Sequence, residues 1–497
     1  MNGPTSQAQK QIHDVNLYKT IYISFGFMLL YVAFSTTQNM ISQIYYQLGY
    51  DQLGNYALFA LYLTQAANNL FAPKIVQRFP VKWVLCLSAL GYLPFMIVGI
   101  LPRQCYENMQ ADPNYESNLC SKHTIYGLIL ASAIVNGYFA SLIWVCQGTY
   151  IGILSSSKPE KTGVYFGMFC SIFATSFLIG SVIGTFLLGY TTQKIFFIIM
   201  SVIGAVACLM LFFIPSPFQQ YQILQMKEAK KIAQDAKDTQ TIAPQETFMQ
   251  TIQRYIQILK TDQIIPLMTL MGLSGTILAF YAGFMYMLIQ NTLVIDYANP
   301  DSIKDVNQKT CYVYICQGIF QIISGYAGGH LAQKFNIYKL VNLATLFVQA
   351  AFVFALIGTY TNDYTIVFLC SAFIGLGDNL LNCVLSEIIT RDYHGKSEIY
   401  ALKSCVMSLV FAVLLLINVL VQHNDAKYSF ILAVFIYQIF ATIASVNLGP
   451  QKPLELNEEK QMSRIPSEDK NADNENELQI LHQQQRNQLI ITKQMSD

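Results

Sequence analysis

Charged residues are scarce in this 497-residue sequence. Asp, Glu, Lys and Arg make up 12% of it, whereas hydrophobic residues make up 53%. A soluble domain carries about 25% charged residues, and a single hydrophobic core stops growing at about 250–300 residues. The composition therefore excludes one soluble domain and indicates a protein that crosses the lipid bilayer several times. The net charge of +1 also argues against a nucleic-acid partner.

The sequence motifs of common enzymes are missing as well. There is no Walker loop, no HExxH and no pair of CxxC motifs, and the six histidines are scattered. GLGDNL (375–380) resembles the start of a dinucleotide-binding fingerprint, but it lacks the third glycine and the βαβ context. The sequence therefore predicts no enzyme, no catalytic residue, no metal site and no cofactor.

Long apolar runs dominate the rest of the chain. A transmembrane helix needs roughly 20 mostly apolar residues. Twelve segments meet this condition: 20–45, 53–72, 83–101, 124–147, 163–189, 194–214, 264–290, 310–332, 339–360, 365–389, 399–421 and 428–448. They predict an all-α integral membrane protein with twelve transmembrane helices.

The two halves of the chain carry similar short stretches at equivalent places. IVQRF (75–79) follows the second run and LAQKF (331–335) follows the eighth, while SAIV (132–135) and SAFI (371–374) lie in the fourth and tenth. This repeat predicts two six-helix halves in the major-facilitator architecture. The predicted parts are a cytosolic N-terminal tail (1–19), an N-terminal half (20–214), a cytosolic central loop (215–263), a C-terminal half (264–449) and a disordered cytosolic tail (450–497).

The distribution of basic residues predicts the orientation in the membrane. With the N-terminus in the cytosol, 23 Lys and Arg fall in inner segments and 6 in outer ones, and Lys403 lies within a span. Positive residues concentrate on the cytosolic side of membrane proteins. We therefore expect both termini to be cytosolic. The pattern fits the plasma membrane and internal membranes equally.

Polar residues form stripes on several of the predicted spans. Their spacings of three, four and seven residues put each set on one helix face. The stripes contain Gln38 and Asn39 in the first span, Gln65, Asn68 and Asn69 in the second, Gln317 and Gln321 in the eighth, and Asp378 and Asn382 in the tenth. Two interpretations are open, namely hydrogen bonds between helices or the lining of a polar cavity.

Asp378 is the carboxylate that lies deepest in an apolar run. A charged side chain at the bilayer centre costs about 2.5–3.5 kcal/mol or more and faces the bundle interior or a wet cavity. Asp378 is therefore a candidate coupling residue, and the alternative is a structural role in its neutral form. Depth along the helices places Glu387 level with Lys403, so we expect these two to form an ion pair at the inner face.

Two cysteines share the predicted outer loop between the third and fourth spans. Cys105 and Cys120 face the oxidising side of a protein made in the secretory pathway. They form either a disulfide or two free thiols.

Five stretches of the chain resemble the unc-ninety-three family, a branch of the major facilitator superfamily. The most specific is SLIWVCQGTYI (141–151). The similar stretches are residues 56–76, 131–151, 163–184, 373–382 and 399–405. The resemblance implies a non-enzymatic membrane protein that regulates potassium channels or escorts receptor membrane proteins. Asp378 falls on the acidic position of that family in the tenth span.

The chain departs from the wider superfamily in its two transporter loops. GHLAQKFNIYK (329–339) has Gln333 where the superfamily has Asp, and IVQRFPVK (75–82) has Gln77. That Asp serves in the switch between inward and outward states. Two functions are therefore predicted: a channel-regulating or trafficking subunit, favoured by these departures, or a secondary transporter of a small solute or ion, proton-coupled through Asp378.

Overall fold

The computed structural model describes residues 6–112, 115, 117–156, 159–215, 248–261, 263–293, 300–393, 395–420 and 426–450. The tail predicted from residue 450 and most of the predicted central loop lie outside these ranges. Within them, every element is helical. The N-terminal half contains α1 (Ser6–Gln47), α2 (Leu53–Asn69), α3 (Ala72–Arg78), α4 (Val81–Leu90), α5 (Leu93–Val98), α6 (Ile100–Ala111), α7 (Lys122–Ser155), α8 (Thr162–Tyr190) and α9 (Gln193–Phe212).

The remaining helices follow the same pattern of long apolar segments. A short helix, α10 (Phe248–Leu259), comes first, within the predicted central loop. The C-terminal half contains α11 (Ile264–Ala279), a π-helical turn (Phe280–Phe284), α12 (Met285–Asn291), α13 (Pro300–Lys334), α14 (Ile337–Thr361), α15 (Tyr364–Asp392), α16 (Ser397–Leu420) and α17 (Ala426–Asn447).

Polar caps explain where several of these helices begin. The Ser121 side chain accepts a hydrogen bond from the backbone N–H of Thr124 at 3.2 Å and starts α7. Asp363 accepts from the N–H of Thr365 at 2.8 Å and starts α15. Such caps satisfy N–H groups that have no partner within the helix. Asn362 ends α14 in a left-handed conformation, with φ of 51°, which asparagine adopts more readily than most residues.

Ten helical segments in the described part of the chain are long and apolar enough to cross a membrane. The predicted second and eighth spans are not among them. The second corresponds to α2, which has only 17 residues. The eighth corresponds to α13, which has 35 residues but is interrupted by polar side chains. The all-helical membrane fold is confirmed, whereas ten rather than twelve segments meet the criterion.

Two helices differ in extent from the predicted spans. The predicted N-terminal tail (1–19) is helical from Ser6 and continues into the first span as α1. The predicted third span is divided into α4, α5 and α6 at Gly91 and Gly99. A Cβ atom on Gly91 would lie 2.2 Å from the ring of Phe139, so the glycine allows α7 to approach closely.

The two halves pack against each other through two helix pairs, α8 with α13 and α2 with α16. Small residues allow the first pair to touch. A Cβ atom on Gly167 would lie 2.5 Å from the Cα atom of Gly329, and one on Gly329 would lie 2.7 Å from the carbonyl oxygen of Gly163. Backbones approach this closely only where side chains are small. The remaining helices leave a cavity between these two contacts.

A disulfide joins Cys105 in α6 to Cys120, just before α7, with their Cα atoms 5.3 Å apart. Cys105 is fully buried. The bond therefore ties the extension of α6 beyond the predicted third span to the start of α7.

Removing this bond should destabilise the protein. The crosslink spans 15 residues of sequence, and a loop of this size corresponds to about 3 kcal/mol of stabilisation. The Cys105→Ser/Cys120→Ser double variant should therefore unfold at a lower temperature in detergent than the wild type. A reducing agent should lower the melting temperature of the wild type but not of the variant. Equal melting temperatures for the two proteins would contradict this prediction.

Candidate functional site

A cavity of about 150 Å³ lies between the two halves. The N-terminal half lines it with α1, α2, α7 and α8, and the C-terminal half with α11, the π-helical turn, α13, α15 and α16. The halves meet on both sides of it. On one side Gly167 contacts Gly329, and on the other Gln43 and Gln47 of α1 donate hydrogen bonds to Asn307 of α13. Contacts between the halves therefore lie on both sides of the cavity.

Asp378 stands at the centre of the polar wall of this cavity. Its side chain is only 8% exposed. Gln321 donates from Nε2 to Oδ2 of Asp378 at 2.9 Å, and Asn382 donates from Nδ2 to Oδ1 at 2.9 Å. Each carboxyl oxygen thus accepts one amide hydrogen bond, and hydrogen bonds of this kind stabilise a carboxylate.

Lys403 of α16 lines the same wall. It contacts α15 in the turns that follow Asp378. Its ammonium donates to Oγ of Ser386 at 2.9 Å and to the backbone oxygen of Asn382 at 3.3 Å. Asp378 and Lys403 both line the cavity. No ion pair within 4.0 Å involves Lys403 in the part of the chain that the structure describes.

The predicted ion pair between Glu387 and Lys403 is therefore corrected. The two residues lie at a similar depth, since Lys403 contacts Ser386, the residue before Glu387. Successive residues of a helix point about 100° apart, and Glu387 turns away from the cavity toward α8. Its Oε2 atom has no hydrogen-bond partner among the described residues, and a Cβ atom on Gly163 would lie 2.7 Å from it.

Ser404 connects the charged wall to the N-terminal half. Its hydroxyl oxygen accepts from Nε2 of Gln65 at 3.1 Å and from Nδ2 of Asn69 at 3.0 Å. Lys403 and Ser404 are neighbours on α16, so one helix carries a contact to α15 and a contact to α2. A movement of the halves relative to each other would change the contact to α2, which joins the two halves.

The opposite wall of the cavity is aromatic. Tyr31 of α1, Trp144 of α7 and Phe173 of α8 form a cluster in which ring centroids are 4.9–5.5 Å apart. Their rings meet edge to face, the favoured arrangement for aromatic pairs. Phe169 stacks beside them on Phe173, with centroids 5.7 Å apart. The cavity therefore has a charged wall on the C-terminal half and an aromatic wall on the N-terminal half, which also contributes polar side chains such as Gln38 and Gln147.

The whole arrangement, two helical halves around a central cavity, agrees with a sequence match. A family model described as the Major Facilitator Superfamily matches residues 23–415. The chain belongs to the major facilitator superfamily.

Curated relatives of this superfamily member carry the unc-93 name. "Protein unc-93 homolog A" of Bos taurus is 30% identical over 183 residues, which is 35% of this chain and 35% of that protein. The match therefore spans about a third of that relative's length. "UNC93-like protein MFSD11" of Xenopus tropicalis is 25% identical over 462 residues, which is 86% of this chain and 95% of that protein. The predicted family resemblance is confirmed.

A solved structure shares the fold. The crystal structure of a bacterial homologue of the iron transporter ferroportin in its outward-facing state superimposes with a TM-score of 0.59 and 11% identity, covering 86% of this chain and 99% of that one. At this identity the likeness concerns the fold alone. In the described part of our chain, no group of three or more His, Cys, Asp or Glu side chains could hold a metal ion.

Six of the predicted cavity residues line the cavity: Gln38, Asn39, Gln65, Gln321, Asp378 and Asn382. The other three do not. Asn68 donates to Ser141 and to the backbone oxygen of Tyr138 within the N-terminal half. Asn69 donates to Ser404 from outside the cavity lining. Gln317 is fully buried, and its amide atoms have no hydrogen-bond partner among the described residues.

Several cavity residues were missed by sequence reasoning. Trp144 and Gln147 line the cavity from the SLIWVCQGTYI stretch, and the specificity of that stretch was the one available signal. Tyr281 enters the cavity from the π-helical turn. Such turns often occur at functional sites, but no local sequence pattern marks this one.

Proposed function

We propose that this protein is a secondary transporter of a small solute, coupled to protons through Asp378. The observation that carries the proposal is the cavity between the halves, which is lined by Asp378 and Lys403 without an ion pair between them. Charged groups at this depth cost several kcal/mol unless they are paired. A cavity that periodically opens to water would hydrate both groups and lower this cost.

Asp378 is suited to exchange a proton because it faces the cavity. When the halves separate on one side, water reaches the carboxyl group, and when they close, its hydrogen bonds from Gln321 and Asn382 remain. Amide groups support the charged and the neutral carboxyl to different degrees. Proton uptake at Asp378 would thereby be linked to opening and closing.

Uptake into vesicles that contain only this protein tests the proposal. Proteoliposomes would be offered a cell extract of small molecules under an imposed pH gradient, and their contents analysed by mass spectrometry. We expect at least one solute to accumulate, and to accumulate less when a protonophore removes the gradient. A purified, folded protein that accumulates no solute beyond the level of empty liposomes would refute the transport function.

A regulatory or receptor-escorting subunit is the second candidate. The absence of the superfamily Asp from both loops, at Gln77 and Gln333, favours it, as does the likeness to proteins named unc-93 homologues. Such a subunit would act by binding a partner membrane protein, such as a potassium channel or a receptor. Reproducible co-purification with one such protein from cells, together with no solute uptake in the vesicle assay, would support this function.

Both termini should lie in the cytosol, because 23 of the 30 Lys and Arg then fall on the cytosolic side. Epitope tags at either end should react with antibody only after the cells are permeabilised. A tag in the loop between α6 and α7 should react in intact cells when the protein is at the surface. Staining of a terminal tag in intact cells would reverse the orientation.

A further inference from the structure

We infer that the cavity binds a small organic carboxylate, with the acid group on Lys403 and an apolar or aromatic body against Tyr31, Trp144 and Phe173. This inference deepens the proposed transport function by naming the class of solute, and it rests on that function for its biological meaning. Its test is a binding measurement, which does not require transport.

The ammonium group of Lys403 has one hydrogen-bond position left for a solute. A lysine ammonium carries three donors, and two of them are directed to Ser386 and to the backbone oxygen of Asn382. Both of these acceptors are neutral. A cation inside a bundle pairs with an anion or reaches water, so a carboxylate that enters the cavity meets an ammonium without a direct counterion.

The acidic side chains nearby do not fill that position. Asp378 is held by Gln321 and Asn382 and forms no ion pair with Lys403 within 4.0 Å. Glu387 faces Gly163 on the other side of α15. The carboxylate of a solute would therefore bind between Lys403 and the aromatic wall, and it would stay clear of Asp378, which repels it when ionised.

The aromatic wall selects an organic acid over an inorganic anion. Chloride or phosphate would bind Lys403 but leave the ring cluster of Tyr31, Trp144 and Phe173 without contact. An apolar body of the solute would cover these rings, and burial of apolar surface favours binding. The volume of about 150 Å³ is below the roughly 300–1,000 Å³ of sites for drug-sized ligands, which limits the solute to a small molecule.

Binding of benzoate to the purified protein in detergent tests the inference. Benzoate serves as the probe, and three compounds serve as comparisons. Acetate lacks the ring, phosphate lacks both the ring and the carbon frame, and benzyl alcohol lacks the charge. We expect benzoate to raise the melting temperature and to bind more tightly than all three. Phosphate or benzyl alcohol binding as tightly as benzoate would overturn the inference.

Three variants and a matched control assign the contacts. Lys403→Gln should weaken benzoate binding on the order of tenfold or more, because it removes a charged hydrogen bond, and Lys403→Arg should keep binding within a few-fold of wild type. Trp144→Leu should weaken benzoate binding but leave acetate binding unchanged. Lys260→Gln, at an exposed lysine just after α10, should change neither.

The variants also separate this inference from the proposed function. If Lys403→Gln does not fold, Lys403→Arg and Trp144→Leu decide the result. Wild-type affinity for benzoate in folded Lys403→Gln or in Trp144→Leu would overturn the inference. Benzoate binding without uptake of any solute would sustain the inference and refute transport. Uptake of uncharged solutes alone, without benzoate binding, would sustain transport and refute the inference.

Discussion

Asp378→Asn should reach the membrane and lose pH-driven uptake, whereas Asp378→Leu should lose stability as well. Asparagine keeps the shape of the side chain and one acceptor oxygen, so the hydrogen bond from either Gln321 or Asn382 can remain. It cannot carry a proton. Leucine leaves the Gln321 amide without this acceptor, and it removes one of the two acceptors of the Asn382 amide, which also donates to the backbone oxygen at position 378 at 3.1 Å. A buried unsatisfied donor costs about 1–3 kcal/mol.

Melting temperature and vesicle uptake measured side by side test this prediction. Asp378→Asn should melt near the wild-type temperature with uptake close to that of empty liposomes, and Asp378→Leu should melt markedly lower. Asp305→Asn is the matched control, because Asp305 is an exposed partner of Lys309 and such surface pairs contribute about 0–1 kcal/mol. Full, pH-dependent uptake by Asp378→Asn would assign Asp378 the neutral structural role.

Much of the fold could be predicted because a long apolar run in a bilayer is stable as a helix. A helix satisfies all its backbone groups internally, so each run specifies a helix and the repeat between IVQRF and LAQKF specifies two halves. Local interruptions are harder to predict. The division of the third span at Gly91 depends on the ring of Phe139, which belongs to a helix about 50 residues further along the chain.

The site was predicted in part, for a reason of geometry. Spacing along one helix fixes which residues share a face, so the sequence predicts the stripe through Asp378 and Asn382. Depth alone does not fix the direction in which a side chain points, and for this reason it predicts Glu387 as the partner of Lys403, where the structure has Ser386. The aromatic wall depends on three helices, α1, α7 and α8, and contacts between helices leave no periodic signal in any one of them.

The second large effect is expected at Gly167, where the two halves touch. A Cβ atom there would lie 2.5 Å from the Cα atom of Gly329, a distance that real Cβ atoms essentially never show. The obstacle is backbone, so no side-chain rotation can relieve it. Any larger residue at position 167 must push α8 away from α13, and α13 carries Gln321, which holds Asp378.

Gly167→Leu should therefore prevent closure on this side of the cavity and abolish uptake, and Gly167→Ala should do so in part. Overpacking of this kind costs about 1–3 kcal/mol, so the protein should still fold with a lower melting temperature. Cys170, a cavity-lining thiol one turn away, should react faster with a membrane-impermeant reagent added from the side predicted to be cytosolic.

Gly127→Ala and Gly127→Leu are the matched controls, since a Cβ atom on Gly127 of α7 would meet no atom within 4 Å. Neither should alter uptake or the labelling of Cys170, and alanine should raise the melting temperature slightly, because glycine weakens a helix interior by roughly 0.5–1 kcal/mol. Gly167→Leu with wild-type uptake and unchanged labelling would show that transport does not require α8 and α13 to close at this point. A loss of uptake together with faster labelling of Cys170 in Gly167→Leu would show that the function requires the close approach of α8 and α13. The glycines there would then act by permitting the halves to meet, since they provide no chemical group.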